Sequence, residues 1–251
     1  MAILKVDNLV KRFAGLTAVS QVSFEVAEGE IVGIIGPNGS GKTTLFNCIT
    51  KFLQPDEGRI VFAGDDITTL TPSEIALKGI TRSFQLTRNF KDLSVIDNLL
   101  IFAQEHQERG LLKRLFWSSR VKKAENQARR SAGEIMRAMN LDHLRYDHAG
   151  TLSGGQQKIL SIAQCLMSRP KLMLLDEPTA AINPTLIEAI MEMLTQLNNK
   201  GQTMLIIEHN VDVVMGLCHR VIVLNHGQKI AEGLPQDIRA NEEVIDAYFG
   251  G

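Results

Sequence analysis

The 251-residue sequence predicts an α/β fold with a doubly wound core, and three observations predict it. Short apolar runs, IVGII, LMLL, TMLII and VIVL, have the length and unbroken hydrophobicity of strands buried on both faces. Helical patterns separate them, as parallel strands require. The composition, 44% hydrophobic and 22% charged, supports a substantial core.

The elements follow in order. From Ile3 to about Phe62 the signals are mostly strands: ILKVDNLVKRF, AVSQVSFEV with alternating apolar positions, EIVGII and, after a helical stretch, RIVF. Between Thr71 and about Asn140 the period becomes helical. Thr71, Pro72 and Glu74 form a capping box with proline at the first helical position, and Ser94 with Asp97 marks a second start before VIDNLLIFAQ. KRLFWSSRVKKAENQARR is locally basic, and Val121, Ala124, Ala128, Ala132, Ile135 and Met139 trace a helical stripe; its charge reads as a solvated face. Strand and helix alternate again from Pro170: KLMLLDE, a helix from Pro184 to about Asn199 ended by Gly201, TMLIIEH, another helix, then VIVL.

A formal net charge of −1 gives no general attraction to nucleic acid, which is not expected as a partner. Cys48, Cys165 and Cys218 are few, odd in number and set among apolar residues, so they read as buried thiols. The charged N-terminus MAILKVDNLVKRF predicts no export signal, and no apolar run reaches the length of a spanning helix.

Two stretches carry chemistry by themselves. GPNGSGKT, Gly36 to Thr43, fits G-x-x-x-x-G-K-[ST] between a strand and a helix. Glycines let backbone N–H groups converge on phosphate oxygens, the helix N-terminus adds its positive end, Lys42 supplies a charge and Thr43 a hydroxyl for magnesium. The run LMLLDE places Asp176 and Glu177 at the C-terminal edge of a buried strand, where open α/β sheets bind ligands. Asp176 suits magnesium, and Glu177 can orient and deprotonate a water.

A second pair of adjacent glycines begins a helix in TLSGGQQKIL. Ser153 and Gln156 form an S-x-x-Q capping box, and Ile159, Ile162, Ala163 and Leu166 continue a helical stripe. A capped core helix accounts for Ser153 and Gln156 but not for Gly154 and Gly155, which permit close backbone approach to an anion.

GPNGSGKTT, LSGGQQ, LMLLDEP and IIEHN, in this order over nearly the whole chain, resemble the ATP-binding subunit of an ABC transporter. The resemblance implies an α/β P-loop NTPase core of the ABC type with an antiparallel β subdomain and a helical subdomain. It implies one ATP-binding domain over 1–251, with the helical subdomain at about 87–165. It also implies a Mg2+-dependent ATPase in which two subunits pair head to tail, each signature (Ser153, Gly154, Gly155, Gln156) closing on the other's ATP. Gly36, Pro37, Asn38, Gly39, Ser40, Gly41, Lys42, Thr43 and Thr44 then hold phosphates, and Phe13 matches the aromatic ring that stacks on adenine; a core phenylalanine is the competing reading. Thr43, Asp176 and Gln85 match magnesium contacts, and Glu177, His209 and Gln85 the hydrolytic set. Where the family usually has an aspartate that makes a cross-subunit contact after DEPT, this chain departs from the pattern with Asn183, a good helix N-cap before Pro184.

GITRSFQLTRNF, EHNVDVVMGLCHRVIVLNHGQKIAEG and the ending AYFG resemble the branched-chain amino acid importer branch. That resemblance implies import of branched-chain or other hydrophobic amino acids, permease partners, a second ATP-binding subunit and, indirectly, a periplasmic or extracellular solute-binding protein. The expected place is peripheral, at the cytoplasmic face of the inner membrane. Urea importer and lipopolysaccharide exporter ATPases share much of this pattern. A soluble non-transport ABC ATPase is expected to carry a long coiled-coil insertion or tandem domains, and neither a sustained heptad pattern nor a second phosphate loop is present. A regulatory module that binds nucleotide without hydrolysing it is disfavoured by Lys42, Glu177 and His209.

Overall fold

The computed structural model describes residues 1–83, 89–103 and 118–249. They group into two compact units, one of Met1–Arg82, Lys171–Ala180 and Ile187–Gly251, the other of Ser83–Pro170 and Ala181–Leu186.

In the first unit, β1 (Ala2–Phe13) and β2 (Leu16–Ala27) form a long hairpin. Alternation decides its faces: Val6 and Phe24 are register partners and buried, whereas the adjacent partners Lys5 and Glu25 point outward and pair at 3.2 Å. The register shifts on either side of Leu9, near Asn8 (φ 45°) and Gln21 (φ 53°), which bend the hairpin as bulges do. With β4 (Glu57–Phe62) and β5 (Asp65–Asp66) it makes an antiparallel sheet of order β2-β1-β4-β5.

The other sheet carries the chemistry. Its strands are β3 (Ile31–Ile35), β6 (Ile80–Arg82), β7 (Leu172–Asp176), β8 (Thr203–Ile207), β9 (Arg220–Asn225) and β10 (Gln228–Gly233), in the order β10-β9-β3-β8-β7-β6. All neighbours pair in parallel except β10, which runs antiparallel to β9. Every residue of β3, β7 and β8 is buried, as the apolar runs predict. Mid-strand Gly33 has a packing reason: a Cβ there would lie 2.9 Å from Cys218 Sγ and 3.0 Å from Val214 Cγ1, on and just after the helix Val211–Leu217. Between β3 and β4, α1 (Lys42–Ile49) buries Leu45, Phe46, Cys48 and Ile49. The leucine, phenylalanine and isoleucine side chains contribute about 1.5–3 kcal/mol each.

The pattern from Thr71 to about Asn140 predicts helical structure, but α2 (Pro72–Lys78) is followed at once by β6. The capping box is present, with Thr71 Oγ1 accepting from Glu74 N and the Glu74 carboxylate accepting from Thr71 N at 2.8 Å. Gly79 then takes φ 105°, ends the helix and aims the chain along β7, where Ile80 pairs with Leu172. After three strand residues the chain leaves the sheet, too short a span to show a period of two.

In the second unit, α3 (Val95–Leu100) starts at Ser94, whose Oγ accepts from Asp97 N at 3.2 Å. Fully buried Asn98 donates to the carbonyls of Phe90 and Ser94 at 3.0 Å and accepts from Phe90 N at 2.9 Å, which satisfies an amide that would otherwise be costly to bury. In α4 (Ser118–Ala138) the stripe faces inward at Ala128 and Ala132, continued by Met136 and Met139, and Arg129 and Arg130 are exposed. The helix α5 (Gly154–Met167) buries Leu160, Ile162 and Ala163. The three cysteines are buried, and burial pushes Cys48 up to about 11 and Cys218 up to about 12. The chain continues through α6 (Pro184–Asn199), α7 (Val211–Leu217), α8 (Pro235–Arg239) and α9 (Glu242–Phe249).

Candidate active site

Gly36 to Lys42 link the end of β3 to the start of α1. Two glycines in this loop are sterically required. A Cβ on Gly36 would sit 2.0 Å from the Leu224 carbonyl oxygen, and one on Gly41, at φ 99°, would sit 2.2 Å from that of Ala18. Ser40 is buried, Asn38 and Gly39 are exposed, and Thr43 is exposed at the first turn of α1. The Lys42 ammonium is held across the loop, donating to the carbonyls of Gly36 at 2.7 Å and Pro37 at 2.9 Å. Burial lowers its pKa, while the carboxylates of Glu177 and Asp176 act in the opposite direction.

The parallel sheet delivers the carboxylates. Asp176 is the last residue of β7 and is 2% exposed; its Oδ2 accepts from Arg82 Nη2 at 2.7 Å. Arg82 ends β6, sits 5.5 Å over the Phe46 ring and donates to Asn47 Oδ1 at 2.5 Å. Glu177, one residue on, takes φ 49° while its N–H remains tied to the Ile207 carbonyl at 2.9 Å. A non-glycine residue in that conformation is strained, and here the neighbouring strand holds it. Its Oε1 lies 2.9 Å from His209 Nε2, so two residues from separate sequence motifs meet. Glu208, between β8 and His209, is 2% exposed and hydrogen-bonded to Thr179, His209 and Asn210.

Phe13 ends β1 and is 42% exposed, so it is no core residue; the Lys11 ammonium lies 5.5 Å from its ring. Gln85 lies outside the described residues. In the second unit the signature capping box is formed, Ser153 N donating to Gln156 Oε1 at 2.9 Å and Gln156 N to Ser153 Oγ at 3.3 Å. The two glycines differ. Gly154 is exposed, and a Cβ there would meet nothing within 4 Å, whereas a Cβ on buried Gly155 would fall 1.6 Å from Leu186 Cδ2. Close packing, which the sequence pattern does not reveal, therefore accounts for one of the pair. Asn183 Oδ1 accepts from Leu186 N at 2.9 Å, the expected cap on α6.

Sequence reasoning missed Arg82 and Glu208. Both lie within recognisable motifs, but their partners Asp176 and Thr179 are distant in sequence, and only pairing of β6 with β7 and of β7 with β8 brings them together.

The glycine cradle and Lys42 fit a polyphosphate. Thr43 and Asp176 are hard oxygen donors of the kind Mg2+ takes when phosphate and water complete its shell.

Residues 19–180 match the ABC transporter family, and residues 228–251 match the branched-chain amino acid ATP-binding cassette transporter family. The chain belongs to the ABC transporter family, as an ATP-binding cassette with ATPase activity. It is 40% identical over 249 residues to the high-affinity branched-chain amino acid transport ATP-binding protein BraF of Pseudomonas aeruginosa, covering 99% of this chain and 98% of that one. Among solved structures it superposes with a TM-score of 0.88 on an ATP-binding cassette of an ABC transporter in its ADP conformation, 39% identical with both chains fully covered. A dimeric bacterial ABC transporter cassette is 29% identical with a TM-score of 0.76, covering 92% of this chain and 98% of that one.

Proposed function

We propose that this chain is the ATP-hydrolysing subunit of an importer for branched-chain or other hydrophobic amino acids, acting at the cytoplasmic face of the inner membrane with permeases and a second ATP-binding subunit. A solute-binding protein outside the membrane delivers the cargo. The observation that carries the hydrolytic reading is the 2.9 Å contact between Glu177 and His209 at the C-terminal edge of the parallel sheet, in a chain whose phosphate loop begins on the same sheet. The cargo rests on the branched-chain names of its relatives.

The residues have the following roles. Gly36 to Thr44 bind the triphosphate through backbone N–H groups, with Lys42 as the local charge, and Phe13 stacks on adenine. Thr43, Asp176 and Gln85 would hold Mg2+, which when bound neutralises developing charge on the phosphates. Glu177 orients a water and accepts its proton as the water oxygen attacks the γ-phosphorus and the bond to the β–γ bridging oxygen breaks. His209 holds Glu177 and contacts the γ-phosphate. Ser153, Gly154, Gly155 and Gln156 close on the nucleotide of the other subunit. The chain works as one ATP-binding domain with a helical subdomain at about 87–165. Differential affinity of ATP for the closed pair drives the permeases.

The test is ATP turnover by the chain assembled with its permeases in vesicles. Leucine-loaded binding protein should stimulate it, and Glu177→Gln should bind ATP while hydrolysing it roughly 10²- to 10⁴-fold more slowly. Stimulation by urea and not by leucine would reassign the cargo, and near-normal turnover of the variant would remove Glu177 from its role.

A further inference from the structure

We infer that Glu208 is a positioning residue for hydrolysis, a buried carboxylate clamp that fixes His209 and the segment behind Glu177 in one geometry. The inference rests on the roles of Glu177 and His209 proposed above. Glu208 Oε1 accepts from Thr179 N at 2.8 Å and from Thr179 Oγ1 at 2.6 Å. Its Oε2 accepts from His209 N at 3.1 Å and from Asn210 N at 3.4 Å. Among the described residues no cation pairs with it, so these four donors are what compensate the buried carboxylate.

The contacts close a ring. Glu177 N is tied to Ile207 O at 2.9 Å, Thr179 to Glu208, and Glu177 Oε1 to His209 Nε2 at 2.9 Å. Glu177 holds φ 49° inside that ring, a backbone state that survives only where its surroundings over-determine it. Beyond the ends of the paired strands β7 and β8, the clamp ties the segment after Glu177 to the segment that presents His209, beside the Glu177 N to Ile207 O bond and the Glu177–His209 contact itself. A carboxylate suits this position because it only accepts; an amide would turn a donor toward the donors of one segment.

The experiment uses the full chain with its partners and reads kcat, KM and affinity for a fluorescent ATP analogue in Glu208→Gln and in the milder Thr179→Val. Nucleotide affinity should stay within about twofold of the wild type, since the phosphate loop is untouched, while kcat falls roughly 10- to 100-fold in Glu208→Gln and less in Thr179→Val. In a His209→Ala background Glu208→Gln should lower kcat no further, because residues acting as one unit are not additive. Unchanged kcat in Glu208→Gln, or full additivity with His209→Ala, overturns the clamp. So does a parallel loss of affinity, kcat and melting temperature in both variants, the mark of a merely structural brace. Glu177→Gln run alongside separates the two claims: if it is inactive while Glu208→Gln is active, the clamp alone fails, and if it hydrolyses normally, the underlying reading fails and the clamp with it.

Discussion

Lys51 bears a cost that the fold does not recover. It follows the last turn of α1 at φ 62° and is 6% exposed, and its ammonium has no hydrogen-bond partner among the described residues. Burial lowers its pKa to about 8. A lysine whose folded pKa lies below its unfolded value makes the unfolded chain bind more protons between the two, so stability rises with pH from about 8 toward 10.5. Lys51→Met removes that penalty and fits a buried site. Its unfolding free energy should exceed that of the wild type by about 1–3 kcal/mol at pH 7, and the gap should narrow as pH rises above 8. Denaturant melts at pH 7 and pH 9.5 check this; an equal gap at both would assign the effect to packing instead of charge. The lysine's backbone cannot be read from sequence, because KFLQ after the helix looks like any solvated helix end. The phosphate loop is different, since Gly36, Gly41 and Lys42 stand at the fixed positions of a local motif and can be picked out from spacing alone.

Elements are legible in the sequence where one period rules them. The runs that form β3, β7, β8 and β9 stand out because both faces of a parallel strand are buried, and the capping boxes at Thr71 and Ser153 because caps are sequence-local. β6 and the half-exposed β10 escape notice because each owes its state to a neighbour, β7 or β9, rather than to its own pattern. The signature glycines show the same division. At Gly154 a methyl meets open space, so Gly154→Ala should leave unfolding free energy within about 0.5 kcal/mol while lowering ATP turnover if that backbone meets a nucleotide. Gly155→Ala must displace Leu186 at the start of α6 and should cost about 1–3 kcal/mol. Thermal melts and turnover measured on both variants separate the roles; equal stability losses would place both glycines in packing.

At the scale of the whole molecule the signature and the phosphate loop fall in separate compact units, with Ser153 to Gln156 in one and Gly36 to Thr43 in the other. Under the proposed arrangement a chain that carries both half-sites gains turnover only when a second copy or a homologous subunit supplies the other half; a dimeric cassette is among its structural relatives. The consequence is kinetic. If two copies suffice, turnover per subunit rises with protein concentration and saturates once the pair is formed. Ser153→Arg places a bulky cation at an exposed cap, where the fold can tolerate it apart from the lost cap, worth about 1 kcal/mol. Its phosphate loop remains intact, so it should still bind ATP yet give almost no turnover. Mixed with excess Glu177→Gln it should recover part of it, because one of the two composite sites in the mixed pair then has an intact signature from one subunit facing the other's Glu177. Rates that stay flat with concentration, and no recovery in the mixture, would mean that the productive pair forms only with permeases or with a non-identical ATP-binding subunit.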